Sequence, residues 1–167
     1  MHVDPEFTTF TYGDPSRPKS GLRHLAPGDM LIFYCGLKGW DCPAEPALYL
    51  IGYFDVIAAG KASDFNPDKL QTLFGENFHV RHPSVFTEQY NDLVLVKGDP
   101  SSGLFHKAVL MSAVGKDRSG RPIKVLSKDM QQIFGKFNGK ISFQRSPTRW
   151  VDPAYVKRAV AFVKSLD

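Results

Sequence analysis

LYLIGYFDVI, residues 48–57, decides the fold of this chain. Hydrophobic residues alternate through it with the period of two that is typical of a β-strand. One predicted face of this strand consists of Leu48, Leu50, Phe54 and Val56. Gly52 lies in the middle of the strand, where a glycine indicates a bend or bulge. The stretch therefore predicts a β-sheet that curls.

Shorter strands are expected on both sides of this one. Residues 30–35, MLIFYC, form an apolar run between turns and predict a strand that is buried on both faces. Residues 93–96 predict another strand, whereas the apolar residues 104–114 fit either a strand or a helix. The basic segment 115–122 contains two glycines and predicts the turn of a hairpin. Residues 1–28 contain many turn signals and are expected to be irregular.

Three helices are predicted from their end signals. Asn66 is the expected N-cap of a helix over residues 67–74, and Ser127 precedes a second short helix that Gly135 ends. A last helix is expected from about Pro153, and its predicted inward stripe is Val156, Ala159, Val160 and Val163. Several short strands with few helices indicate an α+β fold. We expect a small curled mixed sheet or a small barrel with peripheral helices.

The composition is that of a globular protein. With 167 residues, of which 43% are hydrophobic, the chain is expected to form a single domain over residues 1–167. Two cysteines do not make a disulfide scaffold, so a reduced, cytoplasmic setting is predicted. No apolar run approaches the roughly 20 residues that span a bilayer, and the N-terminus lacks the pattern of a signal peptide. We therefore predict no membrane association.

Charge is unevenly distributed along the chain. Residues 1–96 carry 7 Lys or Arg against 12 Asp or Glu, whereas residues 97–167 carry 14 against 5. A basic half on a protein with a net charge of +4 indicates a polyanionic partner such as nucleic acid or a nucleotide. The alternative is that these are solvated lysines and arginines that only confer solubility.

The first residues offer candidates for acid–base chemistry. If this segment is extended, His2, Asp4 and Glu6 lie on one face and could act on a polar ligand. Tyr12 and Asp14 flank a glycine that allows a ligand to approach the backbone closely. These five residues are the predicted catalytic set if the protein is an enzyme. A metal site is not predicted, because Pro5 disfavours a regular strand here.

Flat and basic side chains supply candidates for binding. The predicted base-stacking residues are Tyr12, Tyr34, Trp40 and Trp150. Such aromatics can equally fill the core, and seating the last helix is the alternative role for Trp150. The predicted phosphate contacts are Arg81, Lys107, Arg145 and Arg149. Arg81 is expected in an extended segment that ends at a proline.

Several familiar motifs are absent from the sequence. It contains no Gly-x-Gly-x-x-Gly, no phosphate-binding Gly-Lys-Ser/Thr loop and no Cys-x-x-Cys. It also contains no Gly-x-Ser-x-Gly nucleophile elbow. No cofactor is predicted.

Six strings in the sequence resemble one family. They are HVDPEF (2–7), FTYGDP (10–15), LAPGDMLIFYCGL (25–37), ALYLIGYFDV (47–56), KGDPSSGLFHKAVLMS (97–112) and FQRSPTRWV (143–151). Together they resemble the nucleotide-modification-associated domain family, specifically its third member, over most of the chain. The resemblance implies a context of DNA or nucleotide modification and does not name a reaction. Members often carry a strand region before the HxDPEF string, at which this chain starts, so a pocket edge is expected either to be missing here or to come from a second subunit.

The two central strands are also similar to PUA-like domains of the EVE and ASCH types. Those domains are small barrels that bind RNA or flipped modified bases. From this similarity and the charge distribution we expect a nucleic-acid or nucleotide binding module that recognises a modified or flipped base. The alternative is an enzyme that hydrolyses or edits a modified nucleotide. A homodimer or a complex with modification enzymes would suit either function.

Overall fold

The computed structural model describes residues 4–38, 45–143 and 148–166. The chain packs as two compact units, each built from two stretches of sequence. Unit 1 comprises Met1–Leu31 and Tyr53–Leu104, and unit 2 comprises Ile32–Gly52 and Phe105–Asp167. The single domain expected from the sequence stays a prediction.

Strands and helices contribute about equally to the fold. The strands are β1 (Thr11–Asp14), β2 (Met30–Leu37), β3 (Ala47–Lys61), β4 (Val94–Gly98), β5 (Gly103–Leu110), β6 (Ser112–Lys116) and β7 (Pro122–Leu126). The α-helices are α1 (Pro67–Phe74), α2 (Phe78–Arg81), α3 (Pro83–Gln89), α4 (Lys128–Phe134) and α5 (Pro153–Lys164). Two 3₁₀ helices cover Arg17–His24 and Ala62–Asp64.

In unit 1, β4 lies between β1 and the second half of β3. Both pairings are antiparallel: Thr11 lies opposite Lys97 in one, and Lys61 lies opposite Val94 in the other. The register between β3 and β4 shifts between Val56 and Ala58, and such an irregularity increases strand twist. The irregularity expected at Gly52 therefore lies several residues further along β3, between Val56 and Ala58.

The helices of unit 1 begin at the predicted signals. The Asn66 side chain accepts a hydrogen bond from Lys69 N at 2.8 Å, and Pro67 occupies the first turn of α1. Phe74 at the end of α1 is fully buried and packs with Leu93 and Leu95. This packing attaches the helix to the strand β4.

Unit 2 contains the hairpin β6–β7 and the last two helices. The hairpin is antiparallel, with Ala113 opposite Val125. The turn that joins its strands lies in the basic segment expected from the sequence. Ser127 caps α4, and Gly135 ends it with φ +73°, a left-handed value that favours glycine. In α5, Ala159 and Val163 are buried.

The α+β class is confirmed. Among the described residues the sheet has the order β1-β4-β3-β2, with β5 also paired to β3, and it is not closed into a barrel. The strand pairings described above are all antiparallel. None of the helices in the described part of the chain is long and apolar enough to cross a membrane.

Four local expectations are wrong. Residues 11–14, expected to be irregular, form β1, because tertiary pairing with β4 outweighs the turn signals, and residues 17–24 form a 3₁₀ helix. Arg81 ends the helix α2 instead of an extended segment, since the Asn77 side chain caps that helix. Val156 is 45% exposed, so it does not belong to the inward stripe of α5. The strand β2 is half-buried instead of fully buried.

Candidate functional site

The N-terminal segment covers the outer edge of β1. Glu6 and Thr11 exchange two backbone hydrogen bonds, of 2.9 and 3.1 Å. The Asp4 carboxylate then accepts the Gly13 backbone N–H at 3.2 and 3.3 Å. An edge strand exposes unpaired backbone groups, and here a short segment and a carboxylate satisfy them. The carboxylate of Asp4 is thereby held beside β1.

His79 faces this carboxylate from α2. Its Nε2 lies 3.6 Å from Asp4 Oδ2, which is an ion-pair distance, and its Nδ1 lies 2.6 Å from Gln89 Oε1. Because an amide oxygen only accepts, Nδ1 carries the proton in this amide orientation. Asn77 accepts the His79 backbone N–H at 3.1 Å and donates to Thr11 Oγ1 at 3.1 Å. The imidazole is therefore fixed on both sides.

Gly13 allows this close approach. A Cβ atom at this position would lie 2.8 Å from His79 Cδ2 and 2.9 Å from Asn77 Oδ1. Both distances are below ordinary van der Waals contact, so a side chain cannot be added without displacing the imidazole. The glycine of the FTYGDP string is thus needed for packing against His79.

The surroundings of His79 favour its protonated form. Burial by itself would lower the pKa of His79, but its interactions with Asp4 and Gln89 and the charge of Asp14 act in the opposite direction. The net result is a raised pKa. An imidazole with a raised pKa beside a carboxylate can donate and accept protons near neutral pH.

Tyr12 and Asp14 form a second polar pair on the other face of β1. The Tyr12 hydroxyl donates to Asp14 Oδ2 at 2.8 Å, and Ser16 N donates to Asp14 Oδ1 at 2.7 Å. Burial first, and the negative charge of Asp14 second, raise the pKa of Tyr12 far above its ordinary value. The phenol therefore stays protonated. We call Asp4, Tyr12, Asp14 and His79 the acid–base cluster.

Unit 2 contains a different cluster around Phe143. The Tyr34 ring meets the Phe143 ring edge-on, with centroids 5.2 Å apart. The Arg149 guanidinium carbon lies 5.9 Å from the centroid of the Phe143 ring, and Arg149 Nη2 donates to Ser142 O at 2.9 Å. We call Tyr34, Phe143 and Arg149 the aromatic–arginine cluster. It combines aromatic rings with a cation, as sites for bases do.

Polar atoms of this cluster are buried without a partner. Among the described residues, Tyr34 Oη, Arg149 Nε and the neighbouring Thr148 Oγ1 are inaccessible and make no hydrogen bond. Buried polar atoms in proteins nearly always have a partner. Three exceptions in one small region therefore identify hydrogen-bonding capacity that no other described residue uses.

The remaining predicted residues are distributed as follows. His2, Trp40 and Arg145 lie outside the described residues. Arg81 in unit 1 and Lys107 in unit 2 are exposed. In unit 2, Trp150 is 52% exposed and does not fill the core.

Tyr12 and Glu6 belong to unit 1; Tyr12 is buried and Glu6 is half-buried. Tyr12 is 9% exposed and offers little surface for stacking on a base. Glu6 accepts a hydrogen bond from Thr9 Oγ1 at 2.9 Å. Among the described residues no group of three or more His, Cys, Asp or Glu is arranged to hold a metal ion.

His79 and Gln89 were not among the predicted site residues. Nothing local to residues 77–82 indicates a carboxylate from the N-terminal segment. Phe143 was not among the predicted stacking residues, and its neighbour Tyr34 comes from a distant part of the chain. Only the fold brings these groups together.

Comparison with protein families gives a match over nearly the whole chain. The model of the family described as Nucleotide modification associated domain 3 matches residues 1–165. The chain belongs to this family. The description of the family associates its members with nucleotide modification. Neither the curated proteins nor the solved structures contain a significant match to the chain. The similarity to PUA-like domains stays a prediction.

Proposed function

We propose that the protein is a nucleic-acid or nucleotide binding module that recognises a modified or flipped base through its aromatic–arginine cluster. The single observation that supports this most strongly is the pair of partnerless atoms, Tyr34 Oη and Arg149 Nε, on the two neighbours of the Phe143 ring. The membership in a nucleotide-modification family supports the same conclusion.

The chemistry of the cluster suits a base. A nucleobase has two flat faces that stack on aromatic rings and guanidinium planes, and an edge with hydrogen-bond acceptors. The Nε–H of Arg149 can only donate, whereas the Tyr34 hydroxyl can donate or accept. The Arg149 donor and the Tyr34 hydroxyl can therefore form hydrogen bonds with the edge of a base. The guanidinium also compensates a phosphate charge.

The test is a binding titration with matched variants. Mononucleotides, single-stranded DNA and RNA, and duplexes containing modified bases are titrated at low and at high salt. Tyr34→Phe and Arg149→Lys each remove one partnerless group and are expected to weaken binding about tenfold, the effect of losing roughly 1.4 kcal/mol. Affinity for nucleic acid should fall as salt is raised.

A second arginine–tyrosine pair of unit 2 supplies the controls. The Arg158 guanidinium carbon lies 6.0 Å from the centroid of the Tyr155 ring, and Arg158 Nη1 donates to Gln132 O at 2.7 Å. Arg158→Lys and Tyr155→Phe should leave binding unchanged. Absence of binding at low salt, or equal losses in these controls, would refute the proposal.

The acid–base cluster favours a second candidate function, an enzyme that hydrolyses or edits a modified nucleotide. Its support is the line Gln89–His79–Asp4, in which the imidazole is oriented through Nδ1 and its Nε2 faces a carboxylate. Such a pair can take a proton from an attacking water and return it to a leaving group.

Product formation decides between the two candidates. Modified nucleotides are incubated with the protein and analysed by mass spectrometry. If the protein is an enzyme, Asp4→Asn and His79→Gln should each lower turnover about a hundredfold or more while binding is retained. Binding without any product from the unmodified protein would leave only the binding module.

A further inference from the structure

An open cleft of about 370 Å³ lies in unit 1, and its lining residues belong to neither cluster. The turn and first residue of β1 form one side of it, with Thr8, Thr9, Phe10 and Thr11, and the end of α1 forms the other. Glu76 and Lys97 contribute the charged groups. Small-molecule sites generally occupy about 300–1,000 Å³, so the cleft has the volume for a small ligand.

Lys97 contributes a positive charge to the wall of this cleft. It lies on β4 directly opposite Thr11, is half-buried, and its Nζ donates to the backbone oxygen of Thr9 at 2.5 Å. Among the described residues, no carboxylate lies within ion-pair distance of its ammonium group. Burial lowers the pKa of Lys97, which is the expected effect of a partly desolvated cation without a counter-ion.

We propose that this cleft binds the phosphate group of a nucleotide, with Lys97 as the counter-charge. An anion of this kind restores the missing compensation, and an ammonium group binds phosphate as a point charge. The exposed Thr8 hydroxyl can donate a hydrogen bond to the same phosphate. The carboxylate of Glu76 can accept hydrogen bonds from sugar hydroxyls, which selects a phosphate that carries a sugar over a bare polyanion.

The cleft is connected to the acid–base cluster by hydrogen bonds. Thr11 lines the cleft and accepts from Asn77, and Asn77 in turn accepts from the backbone of His79. Thr11 and Gly13 share one face of β1, and alternate residues on a strand are about 7 Å apart. All these residues belong to unit 1, so the inference does not depend on the aromatic–arginine cluster.

The experiment follows phosphate binding to the full chain by calorimetry and by backbone amide NMR shifts. The three probes are a nucleoside monophosphate, the same nucleoside without phosphate, and inorganic phosphate as a competitor. We expect the monophosphate to bind at least about tenfold more tightly than the nucleoside. The amide shifts should concentrate on Thr8–Thr11 and Glu76.

Two lysine variants test the counter-charge. Lys97→Gln should weaken monophosphate binding about tenfold or more, whereas Lys97→Arg should retain it, and thermal unfolding of both variants establishes that they fold. Lys61→Gln is the matched control, because Lys61 of β3 is also half-buried and donates to a backbone oxygen, that of Asn91, at 2.9 Å. It should bind as the unmodified protein does.

The outcomes separate this site from the proposed function. Tyr34→Phe and Arg149→Lys should leave the amide shifts of Thr8–Thr11 unchanged. Equal losses in Lys97→Gln and Lys61→Gln, or equal affinities for nucleoside and monophosphate, would overturn the phosphate site. Inorganic phosphate that binds as tightly as the monophosphate would also overturn it, because the cleft would then recognise an oxyanion without a sugar.

Discussion

Asp4 Oδ2 lies 3.6 Å from His79 Nε2, and this ion pair fastens the N-terminal segment to the helical part of unit 1. Both side chains are sheltered, with 12% of Asp4 and 5% of His79 exposed. A sheltered pair is weakly screened by salt, and removal of one partner leaves an uncompensated charge. The pair therefore affects both stability and the chemistry available to the site.

The stability of the protein should depend on the protonation of His79. The pKa of His79 is raised in the folded state, so its protonated form contributes stability that is fully present below its ordinary pKa of about 6.5. That contribution is lost as the pH rises through the raised folded-state pKa. Urea unfolding of the unmodified protein and of His79→Gln should differ more at about pH 5.5 than at about pH 8.5.

An exposed histidine supplies the control for this pH dependence. His106 on β5 is exposed, and His106→Gln should follow the unmodified protein at both pH values. A difference between His79→Gln and the unmodified protein that does not change with pH would contradict the assigned role of the ion pair.

Gly13→Ala should destabilise the protein by about 1–3 kcal/mol, the usual cost of overpacking. The added methyl group would lie 2.8 Å from the imidazole of His79, and either the ring or the strand β1 must move. Gly36→Ala is the control, since a Cβ atom there meets only Leu48, at 3.9 Å. Urea unfolding measures both, and an unperturbed Gly13→Ala would show that the imidazole is loosely held.

Asn77→Ala should cost about 2–4 kcal/mol, because Asn77 is fully buried and bonded to both Thr11 and His79. The loss of its side chain leaves the start of α2 without a cap, and the Thr11 hydroxyl keeps only its hydrogen bond to Thr9. Asn66→Ala removes the exposed N-cap of α1 and should cost only about 1 kcal/mol. Comparable losses in the two variants, measured by thermal unfolding, would contradict the central position of Asn77.

Tyr34→Phe should leave the stability of the protein unchanged or raise it by up to about 1 kcal/mol. Its buried hydroxyl makes no hydrogen bond among the described residues, so its removal relieves a desolvation cost. Tyr53→Phe should instead cost about 1 kcal/mol, because the Tyr53 hydroxyl donates to Ser101 O at 2.7 Å. If Tyr34→Phe lowers the stability more than Tyr53→Phe does, the Tyr34 hydroxyl has a partner within the protein and is not reserved for a ligand.

The elements that the sequence predicted correctly are those with local signals. Asn66 and Ser127 cap α1 and α4 through hydrogen bonds to residues three positions ahead, so the signal and its effect lie within one turn. The alternation of residues 48–57 likewise predicted β3, whose even-numbered face, Leu50 to Val56, is buried. In contrast, β1 depends on its pairing with β4, and its four residues alone show no strand pattern.

By itself, the sequence determined the α+β class, the ends of the capped helices and the family to which the chain belongs. These follow from side chains that act on their own neighbours or from strings of residues that can be matched directly. Only the tertiary structure decided which groups meet: Asp4 with His79, Phe143 with Tyr34, and Lys97 with the threonines of the cleft. Their meeting depends on strand pairing and helix packing across long separations in sequence, where no single residue carries the signal.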